Sequence, residues 1–201
     1  MGRKKKNSNA FWYLLAGIVG LLVVFGFLLN ASRTVSFEEY DFLDADFDNP
    51  DAEFVIEKFN DFQCPACRTA APTLSQVREQ HDNVHIHVRH FPLPQFPHSA
   101  YAAEAAECAR DQGRFWAMYY VMFDHQEVLT PSTITRYARG LGLDMSQFSA
   151  CMENREKQIL VSQDRQEGID RGVSGTPSIF INGEQVQFST PAQYSSFFAN
   201  Q

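Results

Sequence analysis

The feature that most restricts how this chain can fold is an uncharged apolar run, FWYLLAGIVGLLVVFGFLL, from Phe11 to Leu29. As a helix this run would be about 28 Å long, which is close to the hydrocarbon thickness of a bilayer. A basic tetrad, Arg3–Lys6, precedes the run, whereas only Arg33 follows it closely. This charge asymmetry predicts a cytoplasmic basic tail at 1–10, a transmembrane anchor at 11–29 and a remainder that lies outside the cytoplasm.

A cleaved signal peptide is the alternative for the same segment. The apolar core of a signal peptide is usually about 7–15 residues long and precedes a small-residue cleavage site. Here the run is longer and Leu29-Asn30-Ala31 is a poor cleavage site, so the sequence favours the anchor. With either outcome the rest of the chain is exported, and its cysteines meet an oxidising compartment.

The exported part has the size and composition of one acidic globular domain. The chain has 201 residues, of which 44% are hydrophobic and 18 are Phe, and its net charge is −7. This composition supports a packed core. An acidic chain without a basic stripe excludes nucleic acid as an expected partner. We expect a polar spacer at 30–52, with a short strand near Phe37–Tyr40, and a folded domain at 53–201.

Hydrophobic periodicity and turn residues predict the order β-α-β, a block of helices, then α-β-β-α, which is an α/β fold. A strand at Phe54–Phe59 precedes a helix from Pro65 to about Gln80, and Val84–Phe91 alternates as a second strand. Further helices are predicted at 99–112, 114–125 and 156–171, from Pro131 to near Gly140, from Asp144, and from Thr190. Asn182-Gly183 predicts a hairpin between strands at 178–181 and 185–188.

The sequence Cys64-Pro65-Ala66-Cys67 places two thiols at the start of a predicted helix. Unpaired N–H groups and the helix dipole at this position stabilise a thiolate, which is the species that attacks a disulfide. Cys67 follows one turn later on the same face, so it can close a disulfide with Cys64. The spacing predicts a redox pair in which Cys64 attacks and Cys67 resolves the mixed disulfide. A metal site, with His85 and His87 as possible ligands, and a purely structural disulfide are the alternatives.

Three segments together resemble the DsbA-like thioredoxin family. They are FVIEKFNDFQCPACR, VRHFPLPQFPHSAYAAEAAECARDQGRFWAMYYVMF and GVSGTPSIFING. The resemblance extends over about Asn49 to Phe198. It implies a thioredoxin-like fold with an inserted helical domain at about 98–155, preceded here by the predicted transmembrane helix.

The resemblance also implies further site residues. Pro177 corresponds to a cis-proline that faces the redox pair, and the backbone of Thr176 would pair with an extended substrate. Thr176, together with Pro65 and Ala66 between the cysteines, would tune the attacking thiol. An ordinary turn proline is the alternative for Pro177.

The position six residues before the first cysteine departs from the family pattern. Many relatives carry a Glu there, which is thought to help the second cysteine exchange its proton, but this chain has Lys58 with Glu57 beside it. Lys58 would instead stabilise a thiolate at Cys67, or Glu57 would replace the missing carboxylate if the strand register allows. Both residues are therefore candidates for a proton relay.

Cys108 and Cys151 lie within the predicted helical insertion. Because an even set of cysteines in an exported protein usually pairs, we expect a structural disulfide between them. A second redox pair and two free buried thiols are the alternatives.

These observations together predict a thiol:disulfide oxidoreductase in the inner membrane. The chain would be single-pass, with its catalytic domain on the periplasmic or extracellular side. We expect an oxidase that uses no cofactor and no metal, acts on the thiols of exported proteins and is re-oxidised by a membrane partner resembling DsbB or vitamin K epoxide reductase. An isomerase or reductase of the same fold is the first alternative, and a thioredoxin-like chaperone or assembly factor is the second.

Overall fold

The computed structural model describes residues 13, 15, 17–21, 35–40 and 51–200. The chain divides into two units, Met1–Ser36 and Phe37–Gln201. In the first unit residues 17–21 are helical, and the side chains of Tyr13, Ile18 and Leu21 are exposed. None of the helices in the described part of the chain is long and apolar enough to cross a membrane. The predicted tail at 1–10 and most of the anchor at 11–29 and of the spacer at 30–52 lie outside the described residues.

A four-stranded sheet forms the centre of the second unit. Its strands are β1 (Phe54–Asn60), β2 (Val84–His90), β3 (Ser178–Ile181) and β4 (Glu184–Val186), in the order β2-β1-β3-β4. β1 pairs in parallel with β2 and antiparallel with β3, and β3 pairs antiparallel with β4. β1 is therefore central, and it carries the redox motif on the loop that leaves its carboxyl end.

Between residues 51 and 200, which the structure describes without a gap, the chain forms seven α-helices. They are α1 (Pro65–Gln80), α2 (Ser99–Arg110), α3 (Phe115–Asp124), α4 (Pro131–Gly140), α5 (Met145–Glu153), α6 (Gln158–Asp170) and α7 (Pro191–Phe198). α2 to α5 stand between the β1-α1-β2 unit and the α6-β3-β4-α7 unit, so they form a helical insertion. Side chains fix several of the helix starts: Thr130 forms a capping box with Thr133, and Asp144 accepts hydrogen bonds from the N–H groups of Ser146 and Gln147.

The prediction of a short strand near Phe37–Tyr40 is wrong. Glu38–Tyr40 is a 3-10 turn, closed by a hydrogen bond of 3.1 Å from the N–H of Tyr40 to the carbonyl of Phe37. The apolar residues of this segment are used for packing rather than for strand pairing, since Tyr40 is buried and its hydroxyl donates to Asp124 on α3 at 2.8 Å.

An aromatic cluster sets the position of α6 against the sheet. Phe59, Phe91 and Phe180 pack together with Val173, and Phe59 contacts both other rings edge-on. Gly168 of α6 lies directly over Phe59 and Phe91, where a Cβ would collide with both rings. This close approach fixes the end of α6 and with it the loop that leads to Thr176 and β3.

Candidate redox site

Cys64 is the N-cap residue of α1, and Pro65 occupies the first helical position. The carbonyl of Cys64 accepts the N–H of Cys67 at 3.0 Å and that of Arg68 at 3.3 Å, so the first turn of the helix brings the two cysteines onto one side. Cys64 keeps 7% of its surface exposed, whereas Cys67 is completely buried. The attacking position is thus open to a partner and the resolving position is not.

The surroundings of Cys64 favour its thiolate. A hydrogen bond from the Cys67 thiol is the largest cause that lowers the pKa of Cys64 to about 5. Partial burial opposes this shift, while the Thr176 side chain and the backbone N–H groups of Cys67 and Ala66 add to it. At neutral pH Cys64 is therefore an ionised nucleophile.

The pKa of Cys67 shifts in the opposite direction. Burial raises the pKa of the Cys67 thiol, and the hydrogen bond that it gives to Cys64 raises it further. In the reduced state one proton is thus held on Cys67 and points toward the Cys64 sulfur. This division of charge assigns attack to Cys64 and resolution to Cys67.

The loop before β3 faces the redox pair from a distant part of the sequence. The peptide bond between Thr176 and Pro177 is cis, and the carbonyl oxygen of Thr176 lies 3.2 Å from the Cys64 sulfur, within reach of its proton when the thiol is protonated. Pairing of β3 with β1 brings this loop to the amino end of α1, which local sequence patterns do not reveal.

Lys58 is fully buried behind the redox pair. Its ammonium donates to the hydroxyl of Tyr119 at 2.7 Å and to the carbonyl of Cys67 at 3.3 Å, and it lies 5.1 Å from the ring centre of Phe123. Burial lowers the pKa of Lys58 to about 8, against the opposing attraction of the Cys67 and Cys64 sulfurs. Both protonation states of this amine are thus accessible near neutral pH.

Glu57 does not take part in the site. Its carboxylate accepts hydrogen bonds from Arg171 at 2.9 Å and from Arg89 at 3.2 Å. Successive side chains of a strand point to opposite faces of a sheet, so the register that directs Lys58 toward Cys67 turns Glu57 away. The hypothesis that Glu57 replaces the missing carboxylate is therefore wrong, because Glu57 binds Arg171 and Arg89 on the other face of the sheet.

Two side chains that sequence reasoning missed also hold the site together. Asp61 is buried and accepts hydrogen bonds from the N–H groups of Gln63 and Leu93 and from the hydroxyl of Ser99. Burial raises its pKa, while these three hydrogen bonds oppose the shift. The side-chain amide of Gln126 donates to the backbone carbonyls of Phe62 and Cys64 in the loop between β1 and α1. The Asp-x-Gln spacing is a local turn signal that would have indicated Asp61; nothing local indicates Gln126.

Cys108 of α2 and Cys151 of α5 form a disulfide with a Cα–Cα distance of 6.0 Å. Asp111 and Glu156 place carboxylates near the Cys151 sulfur. That sulfur is bonded to Cys108 and is not a thiolate, so it lacks the form that binds a metal. His85 and His87 lie on β2, with ring centres 6.2 Å apart, whereas the redox pair lies at the start of α1.

Comparison with known sequences gives a matching family and individual proteins that are similar to part of this chain. The sequence profile of a family described as thioredoxin matches residues 48–199. The chain is 35% identical over 136 residues to Na(+)/H(+) antiporter NhaA 3 of Salinispora tropica, which is 67% of this chain and 21% of that protein. It is 36% identical over 137 residues to NhaA 1 of Mycolicibacterium vanbaalenii, covering 66% of this chain and 22% of that protein. The chain thus spans about a fifth of the length of these curated relatives.

Comparison with solved structures supports the same family. A thioredoxin-like oxidoreductase from Silicibacter pomeroyi DSS-3 is 27% identical, with a TM-score of 0.66 over 76% of this chain and 88% of that one. The thiol-disulfide exchange protein α-DsbA2 from Wolbachia pipientis is 18% identical, with a TM-score of 0.68 over 76% and 83%. BdbD from Bacillus subtilis is 17% identical, with a TM-score of 0.67 over 76% and 89%. At such identities the last two show a shared fold.

Proposed function

The chain belongs to the thioredoxin family, and we propose that it is a DsbA-like thiol:disulfide oxidoreductase that works as an oxidase and introduces disulfides into exported proteins. The observation that carries this proposal is the position of Cys64 at the start of α1 beside a fully buried Cys67. This arrangement lowers the pKa of Cys64 to about 5. An environment that stabilises the Cys64 thiolate stabilises the reduced protein, and the disulfide is therefore readily given away.

Oxidation of a substrate follows from this geometry in two exchanges. A substrate thiolate attacks the Cys64 sulfur of the Cys64–Cys67 disulfide, the S–S bond breaks, and its electron pair goes to the Cys67 sulfur, which takes up a proton. A second substrate thiolate then attacks the substrate sulfur of the mixed disulfide. The Cys64 thiolate leaves, so the substrate is oxidised by two electrons and the Cys64–Cys67 pair is reduced by two.

The proposed substrate is an extended segment of an exported chain. Thr176 carries a backbone carbonyl 3.2 Å from the Cys64 sulfur, on the loop that enters β3. An extended peptide that pairs with this backbone would bring its cysteine to Cys64, whatever its side chains, as strand addition does elsewhere. Recognition through main-chain atoms suits an enzyme that acts on many unfolded proteins.

We also propose the membrane location and the electron acceptor. The uncharged run at 11–29, preceded by Arg3–Lys6, supports a single-pass anchor with the redox domain on the periplasmic or extracellular side. Electrons from the reduced pair would then pass to a membrane protein resembling DsbB or vitamin K epoxide reductase. An anchored donor near an integral acceptor raises the effective concentration of one for the other.

Equilibration with glutathione tests the proposed direction of exchange. The oxidase should have a reduction potential nearer to about −120 mV, the value of DsbA, than to about −270 mV, the value of thioredoxin. A peptide with two cysteines should become oxidised in equal amount when mixed with the oxidised protein, and Cys64→Ser should abolish this. A potential near the thioredoxin value would favour a reductase, and absence of any exchange would favour a binding protein.

A further inference from the structure

The redox loop, defined here as Asp61–Cys64, is held by side chains of the helical insertion as well as by the sheet. Gln126 is the clearest of these contacts. Its side-chain amide donates to the carbonyl of Phe62 at 2.8 Å and to the carbonyl of Cys64 at 2.9 Å. Gln126 begins the 3-10 turn Gln126–Val128, which directly follows α3.

The same loop is attached to the insertion at its other side. Gln63 accepts the backbone N–H of His98 at 2.7 Å, and the Asp61 carboxylate accepts from Leu93 and from Ser99, the first residue of α2. The redox loop is therefore bound at both sides to residues around the first two helices of the insertion. Its peptide planes have little freedom to rotate independently of that domain.

The orientation of these planes matters for the charge on Cys64. Backbone N–H groups of Ala66 and Cys67 stabilise the Cys64 thiolate, and they follow directly from the peptide unit whose carbonyl Gln126 holds. The carbonyl oxygens of Phe62 and Cys64 also carry partial negative charge, in the same loop as the sulfur. An amide that donates to both offsets this charge, so alignment and electrostatics act in the same direction.

We propose that Gln126 is a positioning residue through which the helical insertion favours thiolate formation at Cys64 and so makes the Cys64–Cys67 disulfide more oxidising. This proposal rests on the proposed exchange function, because it concerns the same pair of sulfurs. The helical insertion thereby influences the reduction potential of the Cys64–Cys67 pair, in addition to any contact that it makes with a substrate. The chain offers a matched neighbour, since Glu127 on the same turn contacts Arg68 at 3.2 Å and is exposed.

The test compares Gln126→Leu with Glu127→Gln in the reduced full-length protein. The rate of Cys64 alkylation by iodoacetamide is measured against pH, and the equilibrium with glutathione is measured separately. We expect Gln126→Leu to slow alkylation by about tenfold at pH 4 and by about twofold at pH 6, because the Cys64 pKa of about 5 would rise. The same change should shift the equilibrium about tenfold toward the disulfide, which is about 30 mV for two electrons. Glu127→Gln should match the wild type in both measurements.

A purely structural role would give a different result. If Gln126→Leu lowers the melting temperature but leaves the alkylation profile and the glutathione equilibrium unchanged, the proposal is overturned. Circular dichroism checks folding, and Gln126→Met, which keeps the length of the side chain, replaces the leucine variant if that variant does not fold. Alkylation needs no substrate, so failure of the oxidase function would appear as a wild-type potential near that of thioredoxin, independently of any difference between the variants.

Discussion

At the scale of single residues, Lys58 occupies the position where the family resemblance implies a carboxylate. A buried amine is stable only with partners, and Lys58 has the Tyr119 hydroxyl, the Cys67 carbonyl and two aromatic rings. When a substrate thiolate displaces Cys67, a negative charge forms at a site where burial opposes it. A cation beside Cys67 offsets that charge, and with a pKa of about 8 Lys58 can also supply a proton.

Replacing Lys58 by Met should therefore slow the step in which Cys67 leaves or attacks. Loss of a buried acid–base group commonly costs about a hundredfold or more, and we expect at least tenfold here for resolution of a Cys64 mixed disulfide, measured by acid quenching. Tyr119→Phe, which removes only one partner of Lys58, is the matched control and should have a smaller effect. A resolution rate for Lys58→Met equal to that of the wild type would rule out this role.

The residues of the site differ in how far the sequence could predict them. Cys64 and Cys67 follow from their spacing at a helix start, and Thr176 and Pro177 follow only from family resemblance. The role of Lys58 could be posed but not decided, because the sequence does not show which face of β1 points to Cys67. Gln126 could not be predicted, because its partners lie more than sixty residues away and its contacts are to backbone atoms.

At the scale of elements, the disulfide between α2 and α5 connects the two ends of the helical insertion. Cys108 and Cys151 are separated by 43 residues. The enclosed segment carries α3 and α4, including the turn with Gln126. A cross-link over a loop of this length restricts the unfolded chain more than it changes the folded one.

Removal of this cross-link should lower stability. The double variant Cys108→Ala, Cys151→Ala is expected to lose about 3–4 kcal/mol in the free energy of unfolding, on the chain-entropy estimate for such a loop. Urea denaturation of the double variant and of the wild type, both without reductant, measures the difference. Equal midpoints and equal slopes in the two proteins would show that the disulfide does not stabilise the fold.

Helices were predicted more closely than the segments between them. α1 begins at Pro65 and α4 at Pro131, as predicted, because a proline at the first helical position and a polar cap before α4 are local signals. The predicted strand at Phe37–Tyr40 failed because a strand exists only with a pairing partner, which a short sequence window does not show. The sheet order likewise depends on contacts between distant segments.

At the scale of the whole molecule, the apolar run at 11–29 should keep the protein in the membrane. A run of that length buries enough apolar surface for insertion to be effectively irreversible. We expect the full-length protein to remain in the membrane fraction after washing with high salt and with alkaline carbonate. A variant that begins at Asn30 behind a cleavable signal should be released. Recovery of a wild-type chain shortened to a point after Leu29 would contradict the anchor.

The redox state of Cys64 and Cys67 should change the stability of the whole domain, and the sign distinguishes an oxidase from a reductase. The folded pKa of Cys64, about 5, lies below its ordinary value of 9.0. Because the folded pKa is lowered, ionisation of Cys64 contributes its full stabilisation to the reduced protein at pH values above 9.0. This stabilisation is lost as the pH falls through about 5. The disulfide form has no thiolate and gains nothing from it.

Near neutral pH the reduced protein should therefore melt at a higher temperature than the oxidised protein, and the gap should narrow as the pH is lowered toward 5. Thermal unfolding followed by circular dichroism, with and without reductant, measures this gap. The Cys108→Ala, Cys151→Ala background is needed, because reductant would otherwise also open the structural disulfide and lower the melting temperature. An oxidised form that melts clearly higher in that background would mean that the Cys64–Cys67 disulfide is the stable state, as a reductase requires.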